Sequence, residues 1–277
     1  MKEKRTDKFG NYYYGEMKNG VAHGQGEFHW AATGNVVSCR WKNGEPINPM
    51  TVRILDFATY NGDVVFIREE NGMLNYEITG KGRIDYDDGD CYIGGFDQNS
   101  FNGCGKIVYL NGSTIEGEWL LGKPFDEMLL KTPEFIYKGC LKSIGLKIFT
   151  PDGYGKIKYK DGDVYDGKFK DGKFDGLGKF TWADGESIEA LWRDSNPTGI
   201  VDWHIGKKQE YVGEVIWETD LLPNGRGVLC DRRGEPIGAG IWHNGKLVKP
   251  DNRINIVDLL YERACQNAKE VCEDETK

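Results

Sequence analysis

Three stretches of the 277-residue chain have the outline of a phosphate-binding loop: Gly117 to Gly122-Lys123-Pro124, Gly167 to Gly172-Lys173-Phe174 and Gly240 to Gly245-Lys246-Leu247. Each supplies Gly-x-x-x-x-Gly-Lys, but none has the Ser or Thr that would hold Mg²⁺, and none opens a helical pattern. Gly153-Tyr154-Gly155 and Gly176-Leu177-Gly178 lack the third Gly of a dinucleotide fingerprint and run into strand patterns. The acidic run Asp85-Tyr86-Asp87-Asp88-Gly89-Asp90 lacks EF-hand spacing, because Phe96 stands where the bidentate Glu belongs; it reads as a hairpin tip. His23 and His29 flank Gly24-Gln25-Gly26, and with His204 and His243 they sit near no Cys pair, so no metal site is expected. There is no Gly-x-Ser-x-Gly and no Cys-His pairing suggestive of a nucleophile. Neither catalytic residues nor a cofactor are expected.

Composition narrows the class. Lys plus Arg number 36 against 44 Asp plus Glu, a net charge of −8, which argues against a general nucleic-acid binder. Apolar residues at 39% and aromatics at 12% are too many for a disordered chain. No stretch approaches the ~20 apolar residues of a membrane span, and the charged start lacks the apolar run of a secretory signal. Seven scattered cysteines, odd in number and without a Cys-x-x-Cys pair, read as reduced thiols in a cytoplasmic compartment.

The elements that must position any of these residues are set by the 38 glycines. Asn-Gly and Asp-Gly dipeptides occur fifteen times, from Asn19-Gly20 to Asn244-Gly245, and each is a strong short-range hairpin signal. The segments between them align. Tyr92-Ile93-Gly94-Gly95-Phe96 leads to Gly103-Cys104-Gly105, Tyr109 and Asn111-Gly112, and Ile115-Glu116-Gly117-Glu118-Trp119 follows. Tyr165-Asp166-Gly167-Lys168-Phe169 leads to Gly176-Leu177-Gly178, Trp182 and Asp184-Gly185. With Gly15, Cys39, Ile67, Gly94, Gly117, Gly139, Gly167, Ala190, Gly213 and Gly240 as markers there are ten copies, (240 − 15)/9 = 25 residues apart on average, several of them degenerate.

This pattern, Tyr-x-Gly-x-Trp/Phe followed by Gly-x-Gly and an aromatic, resembles the MORN repeat (membrane occupation and recognition nexus). The resemblance covers about residues 9–249 and is sharpest around Gly15, Gly94, Gly117 and Gly167. Side chains alternate faces along a strand, so Tyr13, Gly15 and Met17 share one face with Gly26, Phe28 and Trp30 of the next. Rings from one strand can then lie over glycines of its neighbour. The expected fold is all-β: an elongated, twisted antiparallel sheet of stacked hairpins over 9–249. A charged tail over 1–8 precedes it, and a C-terminal amphipathic helix and tail over 250–277 follow.

The helix is expected from about Ile254 to Val271, with Ile254, Val257, Leu260, Ala264, Asn267 and Val271 as its stripe and Asp251 or Asn252 as N-cap. It would act as a lid over the open end of the array, as a docking element, or as both. The 277 − 249 = 28 residues after Lys249 are too few for a catalytic domain, so no enzymatic activity is expected.

The resemblance implies a structural or scaffold protein of cytoskeletal, ciliary or large-virus assemblies. An aromatic-lined groove of Tyr92, Phe96, Tyr109, Trp119, Tyr159, Tyr165, Phe169, Trp182 and Trp192 would hold a peptide or helix of a partner protein. Copies of the chain would associate by the C-terminal helix or a sheet edge. The alternative is a peripheral membrane adaptor binding anionic lipid through Lys156, Lys158, Lys160, Lys168 and Lys170.

Overall fold

The computed structural model describes residues 2–275, and the chain forms two compact units, Met1–Thr132 and Pro133–Lys277. The first holds β1 (Lys2–Thr6), β2 (Tyr12–Lys18), β3 (Val21–His29), β4 (Val36–Lys42), β5 (Glu45–Ile54), β6 (Ala58–Arg68), β7 (Leu74–Tyr86), β8 (Cys91–Asp97), β9 (Ser100–Val108), β10 (Thr114–Leu120) and β11 (Lys123–Lys131). The second holds β12 (Phe135–Ser143), β13 (Phe149–Tyr159), β14 (Val164–Lys170), β15 (Lys173–Thr181), β16 (Ser187–Arg193), β17 (Asn196–Ile205), β18 (Gln209–Trp217), β19 (Leu221–Asp231), β20 (Pro236–His243), β21 (Lys246–Pro250) and the helix α1 (Ile256–Glu275). Within each unit every strand pairs antiparallel with the next along the chain, as the hairpin pattern demands. The charged start, expected as a tail, is the exposed strand β1, running from Lys2↔Glu16 to Thr6↔Tyr12. Its Lys and Arg residues suit an edge that must discourage further pairing.

The fifteen Asn/Asp-Gly pairs divide into two uses. Nine lie at turns, among them Asp171-Gly172, where both residues have positive φ (48° and 82°), the type I′ geometry that follows strand twist. The other six lie inside strands. One of these is Asp175-Gly176 in β15. There Gly167↔Gly178 is followed by Phe169↔Phe174, so Lys168 alone faces three residues and the partner strand bulges. Gly176 sits in the bulge at φ 96°, with the Lys168 stem lying over it. The first Gly of Gly-x-Gly is therefore the bulge, and the second is a seat for a ring.

That seat recurs. Gly15↔Gly26, Gly62↔Gly82, Gly94↔Gly105, Gly139↔Gly155, Gly167↔Gly178 and Gly213↔Gly227 are directly opposed pairs. Each is covered by one tyrosine: Tyr13, Tyr60, Tyr92, Tyr137, Tyr165 or Tyr211. The pairing corrects one marker, since the third copy is centred on Gly62 under Tyr60 and not on Ile67. The long strands β6 and β7 displace the count there.

The helix also departs from expectation. Its N-cap is Asn255, whose Oδ1 accepts the Asp258 amide at 3.0 Å while its Nδ2 donates to the Asp258 carboxylate at 2.6 Å. Asp251 instead accepts the Arg253 amide in the preceding turn. The side chains turned inward are Ile256, Leu259, Arg263, Gln266 and Glu270, whereas Val257 is 70% exposed and Val271 42%. α1 does not close the sheet's end. It lies across β15, β17, β18 and β19, where Leu259 packs on Ile200, Val212, Val228 and Cys230. Strand alternation puts those residues on the face opposite Tyr211, and an apolar face of that kind needs a cover.

Replacing the seat glycine is expected to cost more than replacing a turn glycine. In Gly178→Ala the new methyl collides with the Tyr165 ring, an overpacking of about 3 kcal/mol. At Gly185, φ 93° with open space around it, Ala is expected to cost only about 1 kcal/mol of backbone strain. Denaturant unfolding of the two variants should separate them in that order.

Candidate functional site

Strand alternation gathers the rings on the same side as the glycine pairs. Each seat tyrosine donates its hydroxyl to the carbonyl three residues on: Tyr13 to Glu16 at 2.7 Å, Tyr60 to Asp63 at 3.1 Å, Tyr92 to Gly95 at 3.0 Å, Tyr137 to Cys140 at 2.7 Å, Tyr165 to Lys168 at 3.0 Å and Tyr211 to Glu214 at 2.9 Å. In five of the six the acceptor is the residue skipped at the bulge, so the ring both fills the glycine seat and satisfies the carbonyl that the bulge frees; at Tyr60 the acceptor Asp63 stays paired with Thr79. A tryptophan from a following strand closes the far side. Trp41, Trp119, Trp192 and Trp242 donate Nε1 to the carbonyls of Gly26, Gly105, Gly178 and Gly227, at 3.2, 3.2, 2.9 and 3.0 Å.

Two constellations are alike in detail. Tyr92 stacks on Phe101 at 3.7 Å, with Phe96 and Trp119 edge-on at 5.1 and 5.9 Å. Tyr165 stacks on Phe174 at 3.7 Å, with Phe169 and Trp192 edge-on at 5.1 and 5.5 Å. Every member is displaced by the same interval: 165 − 92, 169 − 96, 174 − 101 and 192 − 119 are all 73. The 25-residue average thus conceals a three-hairpin period.

Family comparison meets the same residues. The MORN repeat model matches residues 13–32, 92–114, 150–164 and 165–187, three of the four matches starting on a seat tyrosine. This chain carries MORN repeats. Alsin of Rattus norvegicus is 35% identical over 151 residues and Alsin of Homo sapiens 32%; each match covers 50% of this chain and 9% of the relative. This chain therefore spans only a small part of the length of those relatives. Among solved structures, the SAS-4 TCP domain of Drosophila melanogaster, in complex with a proline-rich motif of Ana2, has a TM-score of 0.36 at 13% identity, covering 62% of this chain and 86% of that one. A score of that size does not establish a common fold.

The MORN rings expected to line a groove separate into two sets. Tyr92, Phe96, Trp119, Tyr165, Phe169 and Trp192 are buried, between 0% and 6% exposed, and are consumed by the glycine seats and by each other. A ring so enclosed presents no surface to a partner. Tyr109, Tyr159 and Trp182 are half-buried, and each opens a hairpin turn, its amide donating to the carbonyl of Ser113, Asp163 and Glu186 respectively. In the second unit Trp182 adjoins Trp217 of β18 at 5.8 Å, and both contact Phe180, at 5.0 and 5.5 Å. Trp217 is also half-buried. It escapes alignment by glycine because it lies beyond its copy's bulge.

The lysines fall on the opposite face, interleaved with carboxylates. Lys156 pairs with Asp166 across strands at 3.0 Å, and the Lys168 stem covers Gly176. Lys158, Lys160 and Lys170 are exposed. Neighbouring pairs such as Lys173–Asp194 and Lys179–Glu189 continue the alternation of charge. All seven cysteines are free thiols. No helix among the described residues is long and apolar enough to cross a membrane.

Burial raises the phenol pKa of the seat tyrosines Tyr13, Tyr60, Tyr165 and Tyr211, that of Tyr60 to about 12. Desolvation is the main cause, because a phenolate there would lose its water. A pKa raised by folding means stability that is complete below the unfolded value of about 10 and lost as pH rises through the folded value. From neutral pH to pH ~10 the tyrosines should leave the thermal midpoint flat, and it should fall steeply by pH ~12, each seat tyrosine adding a slope of up to about 1.4 kcal/mol per pH unit. Phenolate absorbance should rise together with loss of the far-ultraviolet strand signal, and Tyr60→Phe should shallow the slope.

Proposed function

We propose that this chain is a non-enzymatic scaffold that holds a partner protein within a larger cytoskeletal or ciliary assembly. The observation that carries the reading is the division of labour among its rings. The seat tyrosines and their tryptophans stiffen the sheet from inside, while Tyr109, Tyr159, Trp182 and Trp217 remain half-open at its turns and strand ends. Large rigid side chains of this kind give contact area at low entropy cost and dominate interface energetics. Presence of MORN repeats and similarity to a segment of Alsin are compatible with it. The surface best suited to a partner is the Trp182–Trp217 pair of the second unit, supported by Phe180 beneath.

The test is quantitative retention of partners from the native source by the full chain and by a Trp182→Ala/Trp217→Ala variant. Loss of a hot-spot residue typically costs 2 kcal/mol or more, so retention should fall about thirtyfold. A Lys158→Ala/Lys160→Ala variant should retain partners as the parent does. Undiminished retention by the tryptophan variant, with an unchanged melting profile, would remove this surface from the reading.

A further inference from the structure

We propose that Asp202, His204 and Glu210 bind one divalent transition-metal ion, zinc being the ion their donors suit best. The residues converge for simple reasons of strand geometry. Asp202 and His204 are two apart on β17 and so share a face. The register His204↔Glu210 brings the glutamate of β18 directly opposite the imidazole. One donor atom from each residue lies within 4.8 Å of the others. His204 Nδ1 and Asp202 Oδ1 are 3.3 Å apart, about the edge of a tetrahedron built on ~2.0 Å metal–ligand bonds.

An independent observation points to a missing partner. Asp202 Oδ1 is buried and accepts no hydrogen bond, although the imidazole nitrogen is close to it. A buried carboxylate oxygen without a partner is costly, and a cation between the two groups would satisfy both. The other oxygen of Asp202 is held differently. Arg263 of α1 reaches Oδ2 at 3.5 Å while its second arm meets Glu189 at 3.2 Å. That leaves Oδ1 turned toward His204 and makes Arg263 an outer partner that orients the ligand.

The donor set selects the class of ion. One imidazole with two carboxylates suits a borderline first-row ion better than Ca²⁺ or Mg²⁺, which prefer oxygen alone. Three protein ligands leave a fourth position for water, and the His204 side chain is 51% exposed, so the ion can enter from solvent. The sequence offers no sign of this site, because Glu210 joins it through strand register and not through a ligand motif. The expectation of no metal site is revised on that ground.

The test uses the full chain with the exposed thiols Cys104, Cys265 and Cys272 changed to Ser, so that thiolates do not compete. Titration with ZnCl₂ by calorimetry should give one ion per chain, and Co²⁺ should develop the strong visible bands of four-coordinate cobalt. His204→Ala and Glu210→Gln should each weaken binding at least tenfold. Should His204→Ala fail to fold, the near-isosteric Glu210→Gln decides. Absence of saturable binding by the parent, or binding undiminished in Glu210→Gln, would overturn the proposal.

Discussion

A phenol ring lying across two opposed glycines is the contact on which the two units rest. Neither partner would be stable alone. Glycine inside a strand has no side chain to pack and loses the most backbone entropy on folding, and a tyrosine in an open sheet would leave most of its ring in water. Together they bury a large aromatic surface, on the order of 2 kcal/mol per ring, with a hydroxyl bond of about 1 kcal/mol to the carbonyl the bulge exposes. The glycines opposite Tyr165 cannot be exchanged for any residue with a Cβ without moving the ring. This is why all six copies that carry a seat tyrosine present a glycine on both strands beneath it.

Each seat also organises what surrounds it. Tyr92 and Tyr165 each stack on one ring and meet others edge-on, and the tryptophan of a following strand, Trp119 or Trp192, anchors its indole to the same glycine strand. Aromatic pairs in these geometries add about 1 kcal/mol beyond their area. The bulge increases local twist, and repeated bulges coil the sheet until rings from non-adjacent strands touch. In the first unit Trp30 of the β3–β4 turn donates to the Leu74 carbonyl of β7 at 2.8 Å and lies 4.8 Å from Tyr76. In the second, Phe180 of β15 reaches Trp217 of β18. A one-layer meander thereby acquires an interior.

The outward face follows other rules. Its cross-strand Lys–Asp and Lys–Glu pairs are exposed, so water and salt screen them and they contribute little to stability. Their main effect is a face of alternating charge. Where α1 covers that face the contacts are stronger and mixed: Leu259 fills an apolar patch, while Arg193 bonds Glu270 and Arg226 bonds both Glu214 and Glu262. Glu270 is buried, so removing Arg193 would strand a charge. The helix is consequently held in a single orientation, which apolar contacts alone would specify less well.

The sequence by itself determined the repeat, the strand class and the C-terminal helix. Asn/Asp-Gly pairs, alternation of faces and the change to a three-to-four period are local signals, written in residues close along the chain. It did not reveal that six of the nine candidate groove rings are internal, that Trp217 stands beside Trp182, or that α1 caps itself with Asn255 and lies on a sheet face. Those outcomes depend on which residue of one strand faces which residue of another, and a bulge shifts that register by positions no local pattern records. Only the folded chain decides whether a ring at a given spacing meets water, a partner or its own glycine. Coiling brings together strands whose sequences carry no mark of their eventual contact.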